Sequence, residues 1–125
     1  MTDRRTVLAG AAAALVGAAP SAKGKPMYGL IGRMTAKPGQ RGALAAILLD
    51  GVADMPGCLS YVVAEDPADV DALWITEVWD GPDSHKASLS LPLVRAAIAK
   101  ARPLIAGMDQ HRETRPLGGH GLARG

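Results

Sequence analysis

The sequence has few of the residues on which several common classes of protein depend. Phenylalanine is absent, and two tyrosines and two tryptophans supply all the aromatic rings among 125 residues. These are too few for the platform of rings on which single-stranded nucleic acids stack. The single cysteine, Cys58, excludes an internal disulfide framework and every metal site built on several cysteines. The formal net charge of +2 is too small for strong binding to a phosphate backbone.

The apolar residues that are present form two groups, and the first lies in residues 1–22. This segment has two arginines at positions 4 and 5, an Ala-rich apolar stretch and an end of small residues. The apolar stretch is shorter than the roughly 20 residues that span a bilayer as a helix. The order is typical of an export signal and resembles a twin-arginine signal peptide, with Val7 where Phe is usual. The resemblance implies export to the periplasm or the medium and no stable membrane span after cleavage. The alternative is an Ala-rich helix or an uncleaved anchor.

The second group of apolar residues predicts one folded domain at 27–116, after a linker at 23–26 and before a disordered tail at 117–125. The apolar spacing predicts strands at 27–36, 58–65, 72–79 and 108–115 and helices at 41–55, from Asp80 and at 92–105. Asp80 is the predicted N-cap of the middle helix, and Gly107 is predicted to end the last one. The order β-α-β-β-α-α-β is that of a ferredoxin-like α+β fold.

One face of such a sheet has no helices, yet the strand at 72–79 carries large apolar side chains on both faces. A second copy of the chain would cover the helix-free faces of both sheets by a symmetric contact. The sequence therefore predicts a homodimer, a dimeric α+β barrel in which each subunit has a cavity between its sheet and its helices.

Glu77 and Trp79 are predicted to share a strand face with Leu73 and Ile75. A carboxylate in such an apolar row costs free energy unless it is paired or used in chemistry. One interpretation is a structural ion pair between Glu77 and Arg33 of the first strand, and the other is a catalytic role. Trp79 is open to the same two interpretations, since an indole ring also fills a core.

His85 follows on the next helix, on a face that it shares with Leu89. At the mouth of a cavity its imidazole can act as a base near neutral pH, and the alternative is a side chain that only caps the rim. His85, His111 and His120 lack the spacing of a metal site, so no metal is expected.

Two patterns resemble the antibiotic biosynthesis monooxygenase family over about residues 27–104. They are the run Pro-Gly-Cys-Leu-Ser-Tyr at 56–61 and the Glu77-x-Trp79 pair followed by His85. Members of this family are small dimeric α+β barrels, among them cofactor-free oxygenases of polyphenols and anthrones, quinol oxygenases and haem-degrading enzymes. The resemblance implies a pocket between sheet and helices with Trp79 and His85 near it.

The haem-degrading branch of the family differs from this sequence at two positions. Its pattern has an Asn in the first strand, where this chain has Gly32, and an axial His farther along, near Ala97 or Ile98. Haem is therefore not expected, and no other cofactor is predicted.

These observations together predict a cofactor-independent monooxygenase that uses molecular oxygen as co-substrate and acts on a quinol or polycyclic phenol, a small aromatic molecule. The residues assigned to it are His85, Trp79 and Glu77 in catalysis and Tyr61, Leu89 and Arg95 in substrate binding. His85 is predicted to take the phenolic proton, Trp79 to pack on the ring, and Tyr61 or Arg95 to hydrogen-bond the oxyanion. Two alternatives stay open: a non-catalytic small-ligand-binding or stress-response dimer, and isomerase-type chemistry on a small carbonyl compound.

Overall fold

The computed structural model describes residues 26–52 and 54–122 and shows one four-stranded antiparallel sheet with helices packed on one face. In chain order the elements are β1 (Tyr28–Ala36), α1 (Arg41–Gly51), β2 (Cys58–Glu65), β3 (Ala72–Trp79), α2 (Pro82–Ser88), α3 (Pro92–Ala101), a 3₁₀ turn (Arg102–Leu104) and β4 (Ile105–Thr114). The strands lie in the order β2-β3-β1-β4. The ferredoxin-like α+β fold predicted from the sequence is confirmed.

The predicted export signal at 1–22 lies outside the described residues. After β4, residues 115–122 form neither helix nor strand. None of the helices described is long and apolar enough to cross a membrane.

The hydrophobic core lies between the sheet and helices α1 and α3. Along β3 the alternating residues Leu73 and Ile75 point to this side and are buried. Leu44 of α1, which is fully buried, and Ala101 of α3 pack against them. Burial of each large aliphatic side chain contributes roughly 1.5 to 3 kcal/mol, so a few such residues account for much of the attachment of the helices.

Helices α1 and α3 approach each other closely where α1 ends. A Cβ atom built on Gly51 would lie 2.6 Å from the Cβ of Ala97, well inside van der Waals contact. Glycine therefore permits the short distance between the two helices, which form one side of the space above the sheet.

Three element ends differ from those predicted. Helix α1 ends at Gly51, four residues before the predicted end. Helix α3 ends at Ala101, because Pro103 has no N–H to donate to the carbonyl of residue 99. The prediction that Gly107 ends this helix is wrong, since Gly107 lies inside β4, opposite Thr35 of β1.

The predicted cap of α2 is also wrong. The helix begins at Pro82 with Gly81 at the N-cap, and no side chain caps it. The Asp80 carboxylate instead accepts a hydrogen bond from the Ser84 hydroxyl. Proline is favourable in the first turn of a helix, because the backbone N–H groups of that turn have no partner within the helix and proline has no N–H to leave unpaired.

The strand register excludes the predicted ion pair between Glu77 and Arg33. Glu77 lies opposite Leu30, whereas Arg33 lies opposite Trp74. Directly opposed residues of an antiparallel pair share a face, so the two charged side chains are on opposite faces of the sheet. The structural interpretation of Glu77 in that form is wrong.

Arg33 instead joins the loop between β2 and β3 to β4. Its guanidinium lies 3.2, 2.8 and 3.3 Å from carboxylate oxygens of Asp66, Asp69 and Asp109. The Asp66 carboxylate also accepts hydrogen bonds from the backbone N–H of Ala68 at 2.8 Å and from Nε1 of Trp74 at 3.1 Å. The Ala68 N–H and, less strongly, Arg33 and Trp74 lower the pKa of Asp66 below its ordinary value.

We call the helix-free side of the sheet the open face; its residues are Ile31, Arg33, Val62, Trp74, Thr76, Val78, Asp109 and Arg112. It combines the charged cluster around Arg33 with an apolar part in which Val62 is 51% exposed. None of the described helices covers it.

Candidate functional site

A cavity of about 440 Å³ lies between the core side of the sheet and the helices. Such a volume is in the range of pockets for small molecules. Most of its wall is apolar, with Leu48, Val94, Ala97 and Ile98 from the helices and three methionines, Met34, Met55 and Met108. Unbranched methionine side chains adapt to the shape of a ligand. The cavity therefore suits a largely apolar small molecule.

Polar side chains meet at one end of this cavity. Glu77 and Trp79 come from the end of β3, and His85 comes from α2, which follows a two-residue connection. Oε1 of Glu77 accepts a hydrogen bond from Nε1 of Trp79 at 2.9 Å. The Trp79 ring is 1% exposed and lies edge-on to the His85 ring, with centroids 5.4 Å apart. The short connection between β3 and α2 brings all three side chains together.

The same Glu77 oxygen faces His85. Nε2 of His85 lies 3.9 Å from Oε1 of Glu77, which is too long for a hydrogen bond. A substrate hydroxyl can donate its one proton in a hydrogen bond to Nε2 of His85. The imidazole can then take this proton, and the resulting imidazolium lies close enough to the Glu77 carboxylate to pair with it.

Tyr61 is the fourth polar group of the cavity. It lies on β2 opposite Glu77 and is largely buried. Burial, with a smaller effect of the Glu77 carboxylate, raises the pKa of Tyr61 well above its ordinary value. The hydroxyl is therefore protonated at neutral pH and available as a hydrogen-bond donor to an oxyanion.

The two remaining predicted binding residues lie in different places. Leu89 lines the cavity, just after the end of α2. Arg95 does not line it but borders a shallow surface groove. The inward stripe of α3 is formed by Val94, Ala97 and Ile98, and Arg95 follows Val94 by about 100° of helical rotation. Arg102, in the 3₁₀ turn, is the arginine that lines the cavity.

The sequence patterns did not assign a role to Tyr28, at the start of β1. Its ring lies 5.6 Å from that of His85, centroid to centroid, and its hydroxyl donates a hydrogen bond to Oε2 of Glu113 at 2.9 Å. Antiparallel pairing of Tyr28 with Trp79 places it there. The ferredoxin-like order of elements predicts that the first and third strands are neighbours. Because the chain has few aromatic residues, this pairing was the signal by which Tyr28 could have been found from the sequence.

Cys58 is the single cysteine of the sequence. The structure places it half-buried in β2, with Sγ 3.6 Å from the carbonyl oxygen of Ser60. Burial raises the pKa of the Cys58 thiol.

Within residues 26–52 and 54–122, no three His, Cys, Asp or Glu side chains are grouped so that they would hold a metal ion.

Comparison with known proteins assigns the fold and the family. Residues 27–100 match the family model for antibiotic biosynthesis monooxygenase. A crystal structure of a protein assigned to this family, from Chloroflexus aurantiacus J-10-fl, is 70% identical; the match covers 78% of this chain and 99% of that chain, with a TM-score of 0.76. No protein of curated function matched.

Other solved structures share the fold at low identity. A protein from Caulobacter crescentus CB15, assigned to the same group, is 20% identical over 75% of this chain and 92% of its own, with a TM-score of 0.68. SnoaB from Streptomyces nogalater, a cofactor-independent oxygenase, is 14% identical over 75% of this chain and 96% of its own, with a TM-score of 0.63.

Proposed function

This chain belongs to the antibiotic biosynthesis monooxygenase family, and we propose that it is a cofactor-independent monooxygenase of a quinol or polycyclic phenol. The observation that carries the proposal is the placement of Glu77, Trp79 and His85 at the polar end of an apolar cavity. An electron-rich phenol supplies the electrons itself once its hydroxyl is deprotonated. The protein then needs a base, a donor to the oxyanion and an apolar space.

The proposed reaction begins with a hydroxyl group of the substrate that donates a hydrogen bond to Nε2 of His85. His85 takes the proton, Glu77 stabilises the imidazolium, and Tyr61 donates a hydrogen bond to the phenolate oxygen. Trp79, held by Glu77, packs against the aromatic ring of the substrate.

The phenolate then passes an electron to dioxygen, and the radical pair combines to a peroxide at a ring carbon. Where that carbon carries a hydrogen, His85 returns its proton to the peroxide, and loss of water leaves a carbonyl group. One oxygen atom enters the product, and the other leaves as water with the hydrogen of that carbon and the proton that came from the hydroxyl. The substrate is the reductant of both atoms, so no separate reductant is required.

Oxygen uptake with a panel of quinols and anthrones tests the proposal. We expect turnover by the wild-type chain and a loss of about 100-fold or more in kcat for His85→Ala, the usual range for removal of a general base. His111→Ala, on exposed β4 outside the cavity, is the matched control and is expected to keep full activity. Unchanged turnover in His85→Ala removes His85 from the mechanism.

Two further proposals concern assembly and location. The open face, with exposed Val62 on it, supports a homodimer in which two sheets pack face to face.

The arginine pair at positions 4 and 5 supports twin-arginine export of the chain. If export uses this pathway, Arg4→Lys with Arg5→Lys keeps the protein in the cytoplasm when cells are fractionated, whereas an unchanged distribution contradicts it.

A further inference from the structure

The His85 ring lies close to two aromatic rings, and each of these two rings is hydrogen-bonded to a carboxylate. The Trp79 ring lies at 5.4 Å and the Tyr28 ring at 5.6 Å, centroid to centroid. Glu77 accepts the hydrogen bond of the Trp79 indole, and Glu113 accepts that of the Tyr28 hydroxyl, both at 2.9 Å. The first of these carboxylates belongs to the cavity, and the second lies on β4 away from it.

Tyr28 also separates two spaces. His85 lines the cavity, whereas Tyr28 lines a wider, more open groove of about 900 Å³ on the outside, which Glu113 and Ser84 also border. The backbone of His85 is fixed, since its carbonyl accepts a hydrogen bond from the Ser88 hydroxyl at 2.6 Å. The direction of the imidazole therefore depends on the rotamer of the side chain, which the rings beside it restrict.

We propose that Tyr28, anchored by Glu113, is a positioning residue that holds the His85 imidazole toward the cavity. The inference rests on the proposed function, in which His85 is the base. A base displaced by about 1 Å loses on the order of 100-fold in rate, so a ring that fixes its direction matters without touching substrate.

The anchor is suited to hold over a wide pH range. The hydrogen bond to Glu113, with smaller effects of burial and of the Glu113 charge, raises the pKa of Tyr28 above its ordinary value. The Tyr28 hydroxyl therefore stays protonated and a hydrogen-bond donor throughout the neutral range, where an imidazole base works.

Three variants of the full chain separate the ring from its anchor. Tyr28→Leu removes the ring, Tyr28→Phe keeps the ring without the hydroxyl, and Glu113→Gln keeps an acceptor without the charge. The first readout is the NMR shift of the His85 ring protons, which feel the ring currents of the flanking aromatics and need no substrate. His111 and His120 serve as internal controls. The second readout is kcat against KM for a quinol that the wild-type chain oxidises.

We expect Tyr28→Leu to move the His85 ring-proton resonances toward those of His111 and His120. In the same variant kcat should fall about 10-fold or more, with KM changed by less than about 2-fold. Tyr28→Phe should show smaller changes of the same kind. Combining Tyr28→Phe with Glu113→Gln should add little to Tyr28→Phe alone, because residue 113 acts through the Tyr28 hydroxyl, which Phe lacks.

Unchanged His85 resonances in Tyr28→Leu overturn the proposal, whether or not kcat falls. Altered resonances with unchanged kcat overturn it as well, since the ring would then move without consequence. If Tyr28→Leu does not fold, unchanged resonances and kcat in both Tyr28→Phe and Glu113→Gln overturn it. If the wild-type chain oxidises no quinol, the proposed function fails, while the His85 resonances in Tyr28→Phe, which keeps an aromatic ring, still decide whether the anchored Tyr28 positions the imidazole.

Discussion

Glu77 has two contacts, one that supports a structural role and one that supports a catalytic role. Its carboxylate accepts the Trp79 hydrogen bond, which is structural, and faces His85, which is chemical. Glu77→Gln keeps an oxygen acceptor for the indole but removes the charge that stabilises an imidazolium.

We expect Glu77→Gln to melt near the wild-type temperature and to lose about 10- to 100-fold in kcat, as for a group that supports a general base. Glu65→Gln, an exposed surface carboxylate paired with Arg41, is the matched control and should keep its activity. A large drop in melting temperature, with the activity per folded molecule retained, would assign Glu77 to structure alone.

Cys58 is predicted to be a slow nucleophile. Because burial raises its pKa, less of the thiol is ionised at neutral pH, and the thiolate is the reactive form. Alkylation by iodoacetamide at pH 7.5 should be several-fold slower in the native chain than in urea, and should accelerate as the pH rises above 9. Equal rates in the two states would contradict the burial of the thiol.

At the residue scale, the sequence predicted the positions that alternation along a strand determines. Glu77 and Trp79 are on the core side because they continue the row of Leu73 and Ile75. The direction of Arg95 was not predictable in this way, since the inward stripe of α3 depends on how the helix is rotated against the sheet. The predicted ion pair of Glu77 with Arg33 was wrong for a similar reason, because the strand register decides which face of the sheet Arg33 occupies.

Among the elements, α1 and α3 meet at a contact that depends on a glycine. Gly51→Ala places a methyl group 2.6 Å from the Cβ of Ala97, so the helices must move apart. We expect this overpacking to cost about 1 to 3 kcal/mol in the free energy of unfolding, measured by urea denaturation.

Gly42→Ala, in the first turn of the same helix, is the matched control. A Cβ there meets nothing within 4 Å, and alanine favours the helix over glycine by up to about 1 kcal/mol. Gly42→Ala should therefore leave stability unchanged or raise it. Equal effects of the two substitutions would mean that the close approach at Gly51 is not what limits the packing.

The loop between β2 and β3 should lose its attachment in acid. The pKa of Asp66 is lower in the folded chain than its ordinary value of 3.8, so the folded state binds fewer protons there than the unfolded state. Its contribution to stability is complete above pH 3.8 and disappears as the pH falls through the folded value.

The melting temperature of Asp66→Asn should therefore lie below that of the wild-type chain at pH 6 to 7, and the difference should shrink below pH 4. Asp54→Asn, at an exposed position, is the control and should follow the wild-type curve. A difference that is constant from pH 7 to pH 3 would show that the Asp66 charge is not involved.

At the element scale, apolar spacing predicted which segments are helices and strands, and local chemistry decided where they end. Pro103 ends α3 although the apolar stripe continues to Ile105, which is already in β4. The same spacing continues past Gly51 to Met55, which lines the cavity from outside the helix. A periodic pattern reports burial, and a helix end depends on the backbone hydrogen bonds that particular residues allow.

For the whole molecule, the open face is the surface on which the proposed homodimer depends. Val62→Glu places a charge in the middle of the proposed interface, whereas Val70→Glu places one on the loop between β2 and β3, at a side chain that is 79% exposed. Light scattering after size exclusion should give twice the chain mass for the wild type and for Val70→Glu. Val62→Glu should give the mass of one chain, and a dimer in this variant would contradict a face-to-face interface.

The order of elements along the chain was enough to predict the topology of the whole molecule, because a split β-α-β arrangement leaves few ways to connect four antiparallel strands. It also predicted a cavity between sheet and helices. The size of that cavity and its methionine-rich wall depend on side-chain packing from all four strands and all three helices at once, which spacing within one element does not report.

The central claim is that the cavity converts a phenolic substrate with dioxygen alone, with His85 as base. The most direct measurement is mass spectrometry of the product formed under ¹⁸O₂ in the presence of a metal chelator, for the wild-type chain and for His85→Ala. The account predicts one ¹⁸O atom in each product molecule from the wild type and almost no product from His85→Ala. Product without ¹⁸O, or equal amounts of labelled product from both proteins, would contradict it.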